Sequence, residues 1–212
     1  MSIDRRDIIQ ILRDENDLLK VRNQQIGKKL ARQQQAFRVL NRLCEKSRVL
    51  AEAYSSSGEL SVVLYELLGM VLHTCNIDNG SLILIDEAAN ELEFVAVIGE
   101  SQKYLQNHRM STDTGLVGKS ILSGEALLIE NVHATNQWSK AIDERLNFHT
   151  QSLMCVPLNV NNSVVGAIEV VNHTHDTPFD ENDLNVFRVA TLLVSIALER
   201  VEQITLAMEH KS

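Results

Sequence analysis

Glu169 is the lone acid in the apolar run Gly166-Ala167-Ile168-Glu169-Val170-Val171. A carboxylate inside such a strand must find donors or a ligand, because an unpaired buried charge is expensive. Thr114-Gly115-Leu116-Val117-Gly118-Lys119-Ser120 carries the tail of a phosphate loop. The full G-x-x-x-x-G-K-S pattern needs glycine where Asp113 stands, and a buried strand directly before it. A nucleoside triphosphatase is therefore rejected. What survives is a helix N-terminus at Gly115, either ordinarily capped or with free amides that hold a single phosphate. His173 and His175 alternate just past a strand, but no cysteine or second carboxylate is spaced to complete a tetrahedral site. They read as surface-loop residues, and no metal is expected. Cys44, Cys75 and Cys155 form no C-x-x-C and cannot all pair. Cys155 lies in the apolar run Leu153–Leu158 and Cys44 in the N-terminal arm, so neither suits thiolate chemistry, which needs exposure and a lowered pKa. No Ser/His/Asp set has a nucleophile turn. The expectation is a protein without catalytic residues.

These residues sit on a chain of 212 residues, 44% apolar and 23% charged, ordinary for one domain plus an extension. No apolar stretch approaches the roughly 20 residues of a membrane span. Nor does the N-terminus carry a signal peptide's apolar core. Unpaired cysteines favour a reducing compartment, hence a cytoplasmic protein. The net charge of −8 is unevenly spread: residues 1–50 have 12 Lys+Arg against 6 Asp+Glu, net +6, and residues 51–212 have 8 against 22, net −14. The basic arm has Phe37 as its one aromatic, and the acidic body repels phosphate, so nucleic acid is not the expected partner.

Residues 5–48 contain no proline and fit a heptad register. Positions a are Ile9, Asn16, Asn23, Leu30, Phe37 and Cys44; positions d are Leu12, Leu19, Ile26, Gln33 and Leu40. Asparagine at a favours a two-stranded parallel coiled coil of fixed register. Ser55-Ser56-Ser57-Gly58 breaks the helix. The sequence then predicts a helix over Glu59–Cys75 with Leu60, Val63, Leu64, Leu67, Leu68, Val71 and Leu72 inward. Strands follow at Ser81–Asp86 and Leu92–Ile98. A variable region covers Gly99–Met110, and a short helix Gly115–Leu122 lies behind the cap candidates Thr112, Asp113 and Thr114. Next come a strand Ala126–Ile129, a polar helical loop Gln137–Leu146, and a hairpin of Ser152–Leu158 with Val164–Val171. The last helix runs from about Asp180 to Met208. Its stripe of Phe187, Thr191, Val194, Leu198, Val201, Thr205 and Met208 has one side for the domain and one for a twin helix. Helices segregated from a meandering antiparallel sheet make an α+β fold. The expected parts are a coiled-coil dimerisation helix at 1–54, a domain at 55–205 and a tail at 206–212.

The element order, the N-F-H-T of Asn147–Thr150 and the G-A-I-E-V-V-N of Gly166–Asn172 resemble a GAF domain. The likeness is greatest to the cyclic-nucleotide-binding GAF domains of phosphodiesterases and adenylyl cyclases. That resemblance implies an antiparallel sheet flanked by helices, and a pocket for cyclic AMP or cyclic GMP as regulatory ligand, with no other cofactor. Within it, Ser81 matches a first-strand serine facing the purine. Asp143 matches a loop acid reading a base edge, Thr150 a threonine near the phosphate or ribose, and Glu169 a pocket acid. Leu146 departs from the pattern, where a hydroxyl is usual. The family motif of Asn-Lys, then Phe, three residues and Asp-Glu is partly present: Asn172, Phe179 and Asp183 stand, while His173 replaces Lys and Leu184 replaces Glu. A His173–Asp183 pair could stand in for the usual Lys–Asp bridge while the histidine is charged. Bilin-binding members attach chromophore beside Asp, Pro and His motifs that this sequence lacks. Members resembling free methionine sulfoxide reductases use several loop cysteines. First and last helices of such modules often pair in a parallel bundle. The expected function is a regulatory sensor acting as a homodimer on an output domain in cis or a partner in trans. The alternatives are a ligand-free scaffold and a sensor of another small molecule.

Overall fold

The computed structural model describes residues 9, 12–27, 30, 34, 37, 41, 44–45, 60–135, 149–173 and 177–209. The chain divides into two compact units, Met1–Asn41 and Arg42–Ser212. In the first, residues 12–27 form helix α1. The apolar heptad side chains Ile9, Leu12, Leu19, Ile26, Leu30 and Phe37 are all exposed.

The second unit runs α2 (Leu60–Cys75), β1 (Gly80–Asp86), β2 (Glu91–Ile98), α3 (Gln102–Leu105), β3 (Arg109–Ser111), α4 (Gly115–Ser123), β4 (Leu127–Ile129), a 3-10 turn (Val132–Ala134), β5 (Leu153–Val160), β6 (Ser163–Val171) and α5 (Glu181–Glu209). The six strands make one antiparallel sheet ordered β3-β2-β1-β6-β5-β4. This is the α+β architecture expected. Asn161 and Asn162, with φ of 50° and 63°, join β5 to β6. A two-residue hairpin with both φ positive matches strand twist, and asparagine tolerates it better than other side chains. Gly166 lies where β6 pairs with β1 opposite Leu84; a Cβ there would run into the Ile83 carbonyl oxygen.

One face of the sheet is covered by α2 and α5, which also touch each other; α4 packs on the opposite face, against β5 and β6. Helix α2 buries Val63, Leu64, Leu67, Leu68, Val71 and Leu72 as its spacing requires. Leu60, expected inward, is exposed in the first turn. In α5, Phe187, Thr191, Val194 and Val201 are buried and Leu198 is half-buried, so this stripe faces the domain. A separate stripe, Val189, Leu192 and Ile196, is exposed on the other side. The region 99–110, read as variable, contains α3 and the start of β3. Its Gln106 side chain accepts from the Val97 amide at 3.1 Å and donates to the Val95 carbonyl at 2.9 Å. One side chain thus does for β2 what a further strand's backbone would do. Among the described residues, no helix is long and apolar enough to cross a membrane.

Candidate ligand site on the sheet face beneath α4

Side chains alternate across a strand, and directly opposed residues of an antiparallel pair share a face. Five strands therefore align one row. Val97 of β2 opposes Ser81 of β1, Ser81 opposes Glu169 of β6, Glu169 opposes Cys155 of β5, and Cys155 opposes Leu127 of β4. Val97, Cys155 and Leu127 belong to the apolar cluster formed with Leu116, Val117 and Ile121 of α4. Ser81 and Glu169 are the polar members of the row, adjacent to each other beneath α4. Ser81 is buried and Glu169 half-buried. The expected strand serine and pocket acid thus come together.

The helix above contributes a third polar group. Ser120, fully buried, donates to the Glu125 carbonyl at 2.7 Å and lies beside the Cys155 thiol. Burial first, and the neighbouring Glu169 charge second, push the Cys155 thiol well above its ordinary range. Burial, then Asp183, pushes the Cys75 thiol up to about 12. Both stay protonated near neutrality, so neither offers a nucleophilic thiolate. Cys44 is exposed, and none of the three cysteines is in a disulfide.

Gly115 opens α4 with φ +69° and empty space where a Cβ would point. Thr114 occupies the cap position in extended backbone but makes no side-chain cap bond. The Asp113 carboxylate instead accepts from the Ser111 hydroxyl at 2.6 Å. Gly118, the glycine of the loop-like Gly-Lys-Ser, has a packing role: a Cβ there would meet the Thr112 carbonyl at 2.6 Å. On the exposed side of α4 an open groove of about 590 Å³ is lined by Asp113, Gly115, Lys119, Leu122 and Ser123.

Thr150 is buried in the extended approach to β5. Beside it, Asn172 at the end of β6 acts as a clamp. Its Oδ1 accepts from the amides of Gln151 at 2.8 Å and Ser152 at 3.4 Å, and its Nδ2 donates to the His149 carbonyl at 2.8 Å. Phe179 is buried with His173 edge-on at 5.7 Å. Asp183 closes a reciprocal cap on α5: its Oδ2 accepts from the Asp180 amide at 2.8 Å, and Asp180 Oδ1 accepts from the Asp183 amide at 2.9 Å. Asp143 and Leu146 lie outside the described residues, as do the loop 137–146 around them and His175. The roles of Ser120 and Cys155 were not evident from spacing; they appear only once the strands are registered. Among the described residues, no group of three or more His, Cys, Asp or Glu converges on a metal position.

The GAF domain family model matches residues 59–198. The chain belongs to the GAF domain family. This GAF chain is 23% identical over 155 residues to a probable 3′,5′-cyclic phosphodiesterase from Caenorhabditis elegans, a match covering 68% of the chain and 21% of that relative. The chain thus spans about a fifth of that curated relative's length. In fold it is similar to the GAF domain of a phosphoenolpyruvate-protein phosphotransferase from Coxiella burnetii, with TM-score 0.64 and 14% identity over 79% of this chain and 96% of that one. It is also similar to the free methionine-R-sulfoxide reductase of Neisseria meningitidis, solved with its substrate, with TM-score 0.58 and 16% identity over 74% and 88% of the chains. GAF domains are mostly regulatory, and the same fold also houses that reductase.

Proposed function

We propose that this GAF chain is a regulatory sensor module that binds cyclic AMP or cyclic GMP against the sheet face beneath α4. The observation that supports it most is the Ser81–Glu169 pair, two polar groups side by side in an otherwise apolar row. A carboxylate accepts from an exocyclic amine or a ribose hydroxyl, and a serine hydroxyl both donates and accepts. In this reading Ser81 faces the purine, Asp143 reads a base edge, Thr150 and the amides at Gly115 serve the phosphate or ribose, and Glu169 orients the ligand. The similarity to a protein named as a cyclic phosphodiesterase points the same way.

The module works as a parallel homodimer and passes its state to an output domain in cis or a partner in trans. Supporting this are the exposed heptad side chains of the N-terminal unit and, separately, the exposed Val189, Leu192 and Ile196 of α5. Their spacing of three and four keeps one helix stripe facing outward. A cytoplasmic setting fits three cysteines that form no disulfide.

One observation favours a second reading, an unliganded scaffold. Leu116, Val117 and Ile121 already pack on Ile83, Leu153 and Ala167, which closes much of the same face. Calorimetric titration of each cyclic nucleotide into ligand-free protein separates the two. Saturable binding, weakened by Glu169→Gln, supports the sensor; no heat with either nucleotide supports the scaffold.

A further inference from the structure

His133 and His149 lie apart from that row. Their imidazoles stack with ring centroids 5.1 Å apart and planes inclined by 29°. Both side chains are exposed, yet both backbones are fixed. The His133 amide donates to the Asn131 side chain at 3.0 Å within the 3-10 turn. The adjacent Val132 amide donates to the Gln151 carbonyl at 2.8 Å, joining that turn to the segment that carries His149. The His149 carbonyl accepts from Asn172 at 2.8 Å. Fifteen residues separate the two histidines, so no local spacing reveals the pair.

Two imidazoles carried side by side on fixed backbones can supply a pair of nitrogen donors to a borderline transition-metal ion. The dimensions fit. Metal–nitrogen bonds of about 2.0–2.1 Å at a tetrahedral angle place two ring centroids about 5 Å apart. Ligation requires the rings to turn from stacked to edge-on about their side-chain torsions. A net acidic body of −14 over residues 51–212 (8 Lys+Arg against 22 Asp+Glu) also attracts a cation.

We propose that His133 and His149 form a two-histidine site for one divalent transition-metal ion of the Zn²⁺ or Ni²⁺ class. Water fills the remaining positions, since no third His, Cys, Asp or Glu among the described residues converges there. The ion crosslinks the 3-10 turn to the approach of β5. It stabilises the folded unit by mass action, and independently of any nucleotide.

The test uses Ni²⁺ and Zn²⁺, each titrated calorimetrically into the whole chain carrying Cys44→Ser, which removes the exposed thiol. One ion per chain is expected. His133→Gln and His149→Gln should each weaken it by at least about tenfold, as loss of one of two ligands implies. The double variant should lose less than the sum of the two single losses, because either substitution alone already removes the joint ligation. His73→Gln, an exposed histidine elsewhere, should change nothing. Additive losses, unchanged binding in both single variants, or no saturation by ~1 mM would overturn the proposal. Both side chains are exposed, so the variants are expected to fold; unaltered melting temperatures in a metal chelator check this.

Discussion

Replacing Glu169 by glutamine keeps its shape and removes its charge. If the carboxylate is a ligand group, Glu169→Gln costs a charge-assisted hydrogen bond of about 1.5–3 kcal/mol, or roughly 10–100-fold in nucleotide affinity. The melting temperature without nucleotide should stay close to that of the parent. A large drop would show that the charge is chiefly structural. Asn172 is the contrasting case. Its side chain satisfies two amides and a carbonyl of the approach to β5, and its φ of 54° lies in the left-handed region. Asn172→Ala leaves those groups unpaired and should destabilise by about 1–3 kcal/mol in urea unfolding. A neutral result would mean that water replaces the clamp. The sequence pointed to both residues, but for Asn172 it supplied a motif and no mechanism. That mechanism depends on which backbone the turn at the end of β6 approaches.

At the scale of elements, the cap of α5 offers a pH test. The Asp183 amide, and then bonds from Asn182, hold the Asp180 carboxyl below its ordinary range despite some burial. A carboxyl depressed on folding contributes stability that is complete above its unfolded value and is lost as pH falls through its folded value. Asp180→Ala should therefore cost about 1 kcal/mol near neutrality. The difference should shrink in acid, as pH falls through the carboxyl's depressed folded value. An equal difference at both pH values would remove the carboxylate from the account. Helices α2 and α5 and the hairpin were legible because each has a strong apolar period and a clear boundary. β3 and α3 were not: β3 is three residues long, α3 is four, and the Gln106 side chain supplies bonds that no periodicity encodes. The site was half legible. Alternation alone puts Ser81 and Ile83 on one face, and Glu169 and Ala167 on one face. The register that makes them neighbours, and brings Ser120 onto Cys155, is a tertiary fact.

For the whole molecule, the proposed dimer can be tested at the outward stripe of α5. Leu192→Glu with Ile196→Glu places charges on two exposed apolar positions. Sedimentation should shift from dimer to monomer, with the fold retained. A parent that is already monomeric at every concentration would end the dimer proposal. The central claim is that a ligand on the α4 side of the sheet is felt by the helices on the other side. Ligand can shift those helices only by its differential affinity for two states, typically about 1–3 kcal/mol of coupling. The most direct measurement places a spin label at Ala207→Cys, exposed near the end of α5, in the Cys44→Ser background. Distances between the two protomers' labels are then read without and with saturating cyclic AMP or cyclic GMP. The account predicts a nucleotide-dependent shift or narrowing of the distance distribution, absent in Glu169→Gln. An unchanged distribution at proven saturation would contradict it.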